Sequence, residues 1–484
     1  MGFRALVVGA AVVVGLSGCV FYLDPQCNDQ IRNGDETGLD CGGSCTRCNI
    51  GDSCKVDNDC DDSNCVRGTC TAFACANGMQ DDQETDVDCG GGSCRKCAGG
   101  SKCMVDDDCF GTCDPGSPPR CAQLATVAFA DAVAYPSGDK TYALFSGDLD
   151  GDGTIDLAAA NEQESSISVF LNDGTGSFQR LASAFPTGAY PTGGLLADLN
   201  HDGVLDVVTA DYHGDSVSVL VNQGGGVLAA HATYPTVAGA ETSNLAVGDV
   251  NGDGNLDVIA TNPQTASISV FLGHPDGTLD PALTSAVGIV GDTQPYSAAI
   301  GDFNGDHKAD VAIGDLVNGP ILVKLGNGDG TFGPETSYAT GSVGPYILIA
   351  SDLDRDGLLD LVSANRGGDS VSVLLGRDDG TFKKAIVSST RSATGTGNGP
   401  YSIAVADFNL DGVPDVVTAN FMSNNASVLL GVGDGHFGAA IDAGPTGLFS
   451  YGAIAGDLNG DGVPDFATAN ASSNNVTVKL STAH

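Results

Sequence analysis

From Gln123 onward, runs of about five mostly apolar residues alternate with stretches rich in Gly, Asp and Ser. The runs are too short and too closely spaced for amphipathic helices, so they predict strands. The stretch "YILIASDLDRDGLLDLVSANRGGDSVSVLLGRDDGTF", beginning at Tyr346, shows the pattern. It predicts strands over 346–351, 359–364 and 370–375, then a fourth from 381 after the "GRDDG" turn. The first run of each group carries small residues, as in "NLAVGD", "SAAIGD", "SIAVAD" and "GAIAGD". Small side chains suit strands crowded around a narrow axis.

The group recurs with its Asp-rich marker starting at Asp148, Asp198, Asp249, Asp302, Asp352, Asp407 and Asp457, at spacings of 50 to 55 residues. Four strands per period predict an all-β, seven-bladed β-propeller over residues 123–484. Only six Gly-rich turns lead to a fourth strand, and "NNVTVKLSTAH" follows directly on a third strand. At the other end, "QLATVAFADAVAYPSG" at 123–138 reads as a fourth strand preceding any first. This N-terminal strand is expected to complete the last blade and close the ring without an open edge.

Charge narrows the function classes. The chain carries 61 Asp and Glu against 20 Lys and Arg, a formal charge of −41, which repels nucleic acid and anionic lipid and attracts cations. With 42% hydrophobic residues it lacks the composition of a disordered acidic chain. Seven scattered histidines and the absence of a nucleophile motif make an enzyme the weakest reading.

The N-terminal region has a different character. Residues 1–18 contain one cation, Arg4, and the apolar run "ALVVGAAVVVGL", which is too short to span a bilayer and fits a secretory signal peptide. The "LSGC" that ends at Cys19 resembles a bacterial lipobox, which implies cleavage before Cys19 and a diacylglycerol on its sulfur. Residues 19–26 would then be a lipidated linker, and the protein is expected to be exported and held at the outer membrane or cell surface by that lipid. All 17 cysteines precede residue 122. Sixteen of them form two matching sets of eight, in modules at 27–71 and 75–121. An even count in an exported chain predicts a disulfide framework, with the pairing open. Zinc is the competing reading for "CTRC" and "CRKC", but no histidine precedes His201.

The repeats over residues 123–484 resemble the FG-GAP/VCBS family, whose calcium-binding blades also build the seven-bladed head of integrin alpha chains. The resemblance implies a binding or adhesion role.

The loops follow D-x-[DN]-x-D-G-x-x-D, with side-chain oxygens at positions 1, 3, 5 and 9 and the backbone carbonyl of position 7 as a fifth donor. Hard oxygen donors on one tight turn are the chemistry of a calcium site. The expected ligands are Asp148, Asp150, Asp152, Asp156; Asp198, Asn200, Asp202, Asp206; Asp249, Asn251, Asp253, Asp257; Asp302, Asn304, Asp306, Asp310; Asp352, Asp354, Asp356, Asp360; Asp407, Asn409, Asp411, Asp415; and Asp457, Asn459, Asp461, Asp465. About seven structural Ca2+ ions would reduce the formal charge from −41 to about −27. In the fourth loop His307 replaces the position-6 glycine, so this site is expected to be the weakest.

The opposite face is expected to carry the variable loops, and with them a protein, matrix or glycan ligand. Two near-rings mark it: Asn161, Asp211, Asn262, Asp315, Asn365, Asn420 and Asn470, and Tyr142, Tyr190, Tyr296, Tyr346, Tyr401 and Tyr451. The first set reads as Asx turns and the second as packing between blades. A lectin is the alternative function, weakened by the absence of Trp.

Overall fold

The computed structural model describes residues 127–482 throughout, together with the backbone of two short strand pairs, Ser63–Val66 with Thr69–Ala72 and Cys113–Asp114 with Arg120–Cys121. The expected signal peptide, Cys19 and the disulfides of the two cysteine modules lie outside the described residues. Residues 127–482 form seven antiparallel sheets, six of four strands and one of five.

In the fifth blade Pro345–Ser351, Asp360–Asn365, Ser370–Leu374 and Ile386–Ser389 pair in sequence order from inside to outside. The outer strand starts five residues later than the sequence suggested, because the Gly-rich turn first closes on itself through a single bridge between Gly376 and Phe382. In the first blade the outer position is shared by Phe178–Arg180 and Phe185–Pro186, both paired with Ser166–Asn172.

The ring closes as the strand count requires. Ser450–Gly456, Asp465–Asn470 and Asn475–Lys479 are followed across the last sheet by Val133–Pro136. Val133 lies opposite Val478 and Pro136 opposite Asn475, and a further bridge joins Phe129 to Ser481.

All seven second strands are buried at every residue, so each is covered on both faces. Their neighbours in adjacent blades explain this. Val208 and Val219 of the second blade meet Val258 and Phe271 of the third, while Leu157 and Phe170 of the first meet Ala467 and Val478 of the last. Burying each Val, Leu or Phe among them contributes about 1.5–3 kcal/mol, and no blade could gain this alone. Among the described residues the only helical turns are single 3-10 turns at Pro263–Thr265 and Arg366–Gly368, and no helix there is long and apolar enough to cross a membrane.

Each first strand runs into an Asp-rich loop. The Asp-rich loops therefore share one face of the ring, and the second-to-third loops and blade entries share the other.

Candidate metal cages and an axial binding site

The seven Asp-rich loops fold alike. Oδ2 of the position-1 Asp accepts the position-6 N–H at 2.7–3.0 Å in every copy, from Gly153 on Asp148 to Gly462 on Asp457. The position-5 Asp accepts the N–H two residues on, at 2.8–3.0 Å. His307 takes the left-handed conformation of the glycines it replaces, with φ 63°, and still donates to Asp302 at 2.8 Å. Position 4 is left-handed as well, which the sequence reading missed; His201, Arg355 and Leu410 hold it beside four glycines.

The position-9 carboxylates Asp156, Asp206, Asp257, Asp310, Asp360, Asp415 and Asp465 are fully buried. In each, Oδ2 accepts the N–H of position 2 at 2.8–3.2 Å. Oδ1 accepts an N–H sixteen residues on, at the end of the third strand, at 2.6–2.8 Å. This residue is thus a backbone clamp as well as an expected ligand. Burial pushes Asp156, Asp206 and Asp360 up to about 6 and Asp415 and Asp465 up to about 7. The neighbouring carboxylates of each cage push the same way.

These donors fit a hard cation. Carboxylate oxygens of Asp148, Asp150 and Asp156 lie within 4.8 Å of one another, as do those of Asp352, Asp354 and Asp356. The five other copies have Asn at position 3 and so converge fewer carboxylates, though still oxygen donors. A bound Ca2+ would supply charge neutralisation only; the chain's own residues orient the loop. Lys383 Nζ, 3.8 Å from Asp354 Oδ2, is a cation the fifth cage already has at its edge.

The Asn/Asp ring is structural. All seven side chains are buried. In five blades the amide of the Asn donates to the side chains five and seven residues on, as Asn365 does to Ser370 at 3.3 Å and Ser372 at 2.7 Å. These bonds tie the second strand to the third, rather than forming the expected Asx turns. Asp315 alone behaves as expected, accepting the N–H groups of Gln294 and Val317 at 3.0 and 3.1 Å.

The tyrosines pack ring on ring between neighbouring blades as expected, and they do so at the axis of the ring. Six first strands carry a bulge at their outset, and the residues skipped by the register are Tyr142, Thr192, Tyr296, Tyr346, Tyr401 and Tyr451. A bulge re-aims its extra side chain, and here the five tyrosines converge. The hydroxyl of Tyr296 is 3.0 Å from that of Tyr142 and 2.9 Å from that of Tyr401, and Tyr142 and Tyr401 bond each other. Tyr142 stacks on Tyr451 at 4.3 Å. Burial pushes Tyr296 up to about 12, so this hydroxyl stays neutral. Tyr190 is outside the cluster: it precedes Pro191 instead of following the equivalent position, and its ring lies against His213 at 4.5 Å.

Above the tyrosines opens a cavity of about 350 Å³. Its wall includes the residue directly after the second strand in five blades, Glu162, Tyr212, Pro263, Leu316 and Arg366. That position differs in every copy while its neighbours repeat, which is the signal by which sequence could have found it. Arg366 lies over the rings of Phe421 at 4.8 Å, Tyr346 at 5.3 Å and Tyr401 at 5.7 Å, and Nη1 donates to Tyr346 Oη at 2.9 Å.

Comparison with known proteins bears on this architecture. The family model described as FG-GAP-like repeat matches residues 148–209, 198–260, 249–313, 352–418 and 407–468. No curated protein sequence matches. Among solved structures, virginiamycin B lyase from Staphylococcus aureus is 11% identical with a TM-score of 0.50, covering 72% of this chain and 99% of its own. An Agrocybe aegerita lectin, solved for its recognition of non-reducing terminal N-acetylglucosamine, is 20% identical with a TM-score of 0.47, covering 72% and 96%. The periplasmic gluconolactonase of Pseudomonas aeruginosa is 18% identical with a TM-score of 0.48, covering 62% and 84%. At such identities the likeness is one of fold alone.

Proposed function

Because this chain belongs to the FG-GAP-like repeat family, whose model spans more than half of it, we propose that it is a calcium-stabilised binding protein of the cell surface, anchored by lipid on Cys19. The face opposite the Asp-rich loops docks a protein or matrix partner. The observation that carries this reading is where apolar side chains are left in water. Ile289, Val290, Val317, Val343, Met422, Leu448 and Phe449 are all exposed, with Val290 at 69% and Met422 at 59%, and all lie on loops of that face. The Asp-rich face exposes Val227, Val432 and, at the end of a third strand, Leu325 among the described large hydrophobics, which is fewer and more scattered. Exposed apolar side chains gathered on one face mark a site that a partner covers.

A second reading, a lectin, is favoured by the axial cavity. Its tyrosine faces, together with the Gln264 and Gln294 amides, offer the stacking and hydrogen bonding a sugar needs.

Screening the full chain in millimolar calcium against matrix proteins and a glycan array tests both readings. A protein ligand lost with Met422→Asp and Leu448→Asp supports the first. A glycan ligand kept by those variants and lost with Tyr296→Ala transfers the function to the second.

A further inference from the structure

Among the described residues four cations have an anionic partner. Lys140 sits on Glu162 at 2.7 Å, Lys324 is 3.7 Å from Glu335, Lys383 is 3.8 Å from Asp354, and Arg391 pairs with Asp369. This is what an excess of 61 acidic over 20 basic side chains leads one to expect. Three cations that are not fully exposed, Arg180, Arg366 and Lys479, have none, and of these Arg366 is the one that lines the axial cavity. No carboxylate of the described residues lies within ion-pair distance of Arg366, its Nε is buried without a hydrogen-bond partner, and its one side-chain bond is to the hydroxyl of Tyr346.

Three aromatic faces hold this guanidinium at the wall of the axial cavity. Aromatic faces offset part of the cost of removing a cation from water, but they leave N–H donors unused. The cavity cannot supply a counterion internally. Glu162, the carboxylate of its wall, is taken by Lys140. Glu241, next in line, accepts the hydroxyl of Tyr212 at 2.5 Å. The lining of Lys140, Glu162 and Arg366 therefore carries one positive charge in excess.

We propose that the axial cavity is a carboxylate-binding site anchored by Arg366, and that it receives an Asp or Glu side chain of a partner protein. The inference builds on the protein-binding face argued above and names the group that face recognises. A guanidinium bonds a carboxylate through paired N–H groups in a fixed plane, which supplies orientation as well as attraction. A peptide is favoured over an acidic sugar by what adjoins the anchor. Phe421, which lies under Arg366, stacks on Phe449 at 4.7 Å, and each is joined along the chain to an exposed apolar residue, Phe421 to Met422 and Phe449 to Leu448. An acidic residue flanked by apolar ones fills cavity and shelf together. The same arrangement disfavours a partner that offers Lys or Arg to the ring of tyrosines, since Arg366 already covers two of their faces.

An array of peptides in which Glu or Asp is flanked by apolar residues, each paired with its Gln or Asn counterpart, tests this with the full chain in millimolar calcium. Methyl glucuronoside is titrated alongside. We expect acidic peptides to bind at least about tenfold more tightly than their amide counterparts, and Arg366→Lys to abolish that preference. Arg366→Lys keeps the charge and so guards against misfolding, and an unchanged thermal melt verifies this. Equal binding of acid and amide peptides that is lost with Met422→Asp overturns the carboxylate site while leaving the binding face intact. Binding of the glucuronoside without any peptide, or of neither ligand, overturns the peptide assignment.

Discussion

Oδ1 of Asp465 accepts the backbone N–H of Ser481 at 2.6 Å, and Ser481 is in turn bridged to Phe129. The clamp of the seventh cage thus holds the end of the third strand beside the chain that closes the ring. Asp465→Ala strands two buried N–H groups, those of Ser481 and Leu458, and should cost roughly 2–4 kcal/mol. Asp257→Ala strands the equivalent pair, Gly273 and Val250, inside an ordinary blade. Hydrogen exchange of residues 127–136 should accelerate in the Asp465 variant and stay protected in the Asp257 variant. Equal protection in both would separate closure from the clamp.

Calcium should raise the melting temperature of the full chain by many degrees over chelator, since an ion that binds only the folded cages stabilises them by mass action. Sites of about 0.1–1 mM affinity would fill outside a cell. Asp352→Ala with Asp356→Ala removes two of the three carboxylates that converge in the fifth blade and should diminish the calcium increment without abolishing ligand binding on the opposite face. Superimposable melts with and without calcium would count against all seven cages.

His307 occupies a left-handed position at φ 63° with its side chain almost wholly in water, so it pays backbone strain for no packing. His307→Gly should stabilise the protein by about 0.5–1 kcal/mol, the difference between the relief of strain and the extra freedom of glycine in the unfolded chain. Denaturant unfolding measures it; a destabilised glycine variant would mean that the imidazole contributes to the loop.

Asp211 stands where five blades have Asn. Burial pushes its carboxyl up to about 6 although the hydroxyls of Ser218, Thr209 and Ser216 hold it down. A carboxyl whose folded pKa is raised favours the folded state when protonated, so its penalty grows as pH rises from about 4 to about 6 and is complete above that. Asp211→Asn should therefore stabilise at pH 7 by on the order of 2–3 kcal/mol and have little effect near pH 4. A gain independent of pH between these limits would assign the effect to packing.

Cys19→Ala should release the protein from the membrane fraction into the soluble one. Continued fractionation with membrane would require an anchor other than lipid on this sulfur.

The ring, its seven blades and its closure by a strand ahead of the first blade, Val133–Pro136, were legible because each depends on a pattern repeated at a fixed distance along the chain. Repetition also misled. Tyr190 entered the tyrosine ring by spacing, whereas register gives that place to Thr192, because the tyrosine comes before Pro191 rather than after the equivalent position. The position-9 aspartates read as ligands alone, since their N–H partners are sixteen residues away and carry no side-chain signature. The variable position that Arg366 occupies was marked in the sequence, but what surrounds it was not. Its partners Tyr346, Tyr401 and Phe421 come from two blades, and a site assembled by single residues from different repeats is hidden by the very feature that identifies the repeats.

The closing strand also decides how the ring would meet a pull. Chain enters beside Ser481, on the face of the Asp-rich loops, and runs along the last sheet to Pro136 beside Asn475, on the face of the tyrosines. Its ladder bonds lie across the strand direction. Tension on the chain ahead of Val127, countered by a ligand held on the far face, acts along the strand and loads those bonds together rather than peeling them singly. A blade completed from the other terminus would place no such brace between the two points of load. Force spectroscopy with one handle ahead of Val127 should show a higher rupture force than with the handle at Ser137, where the same ladder is pulled open from its end.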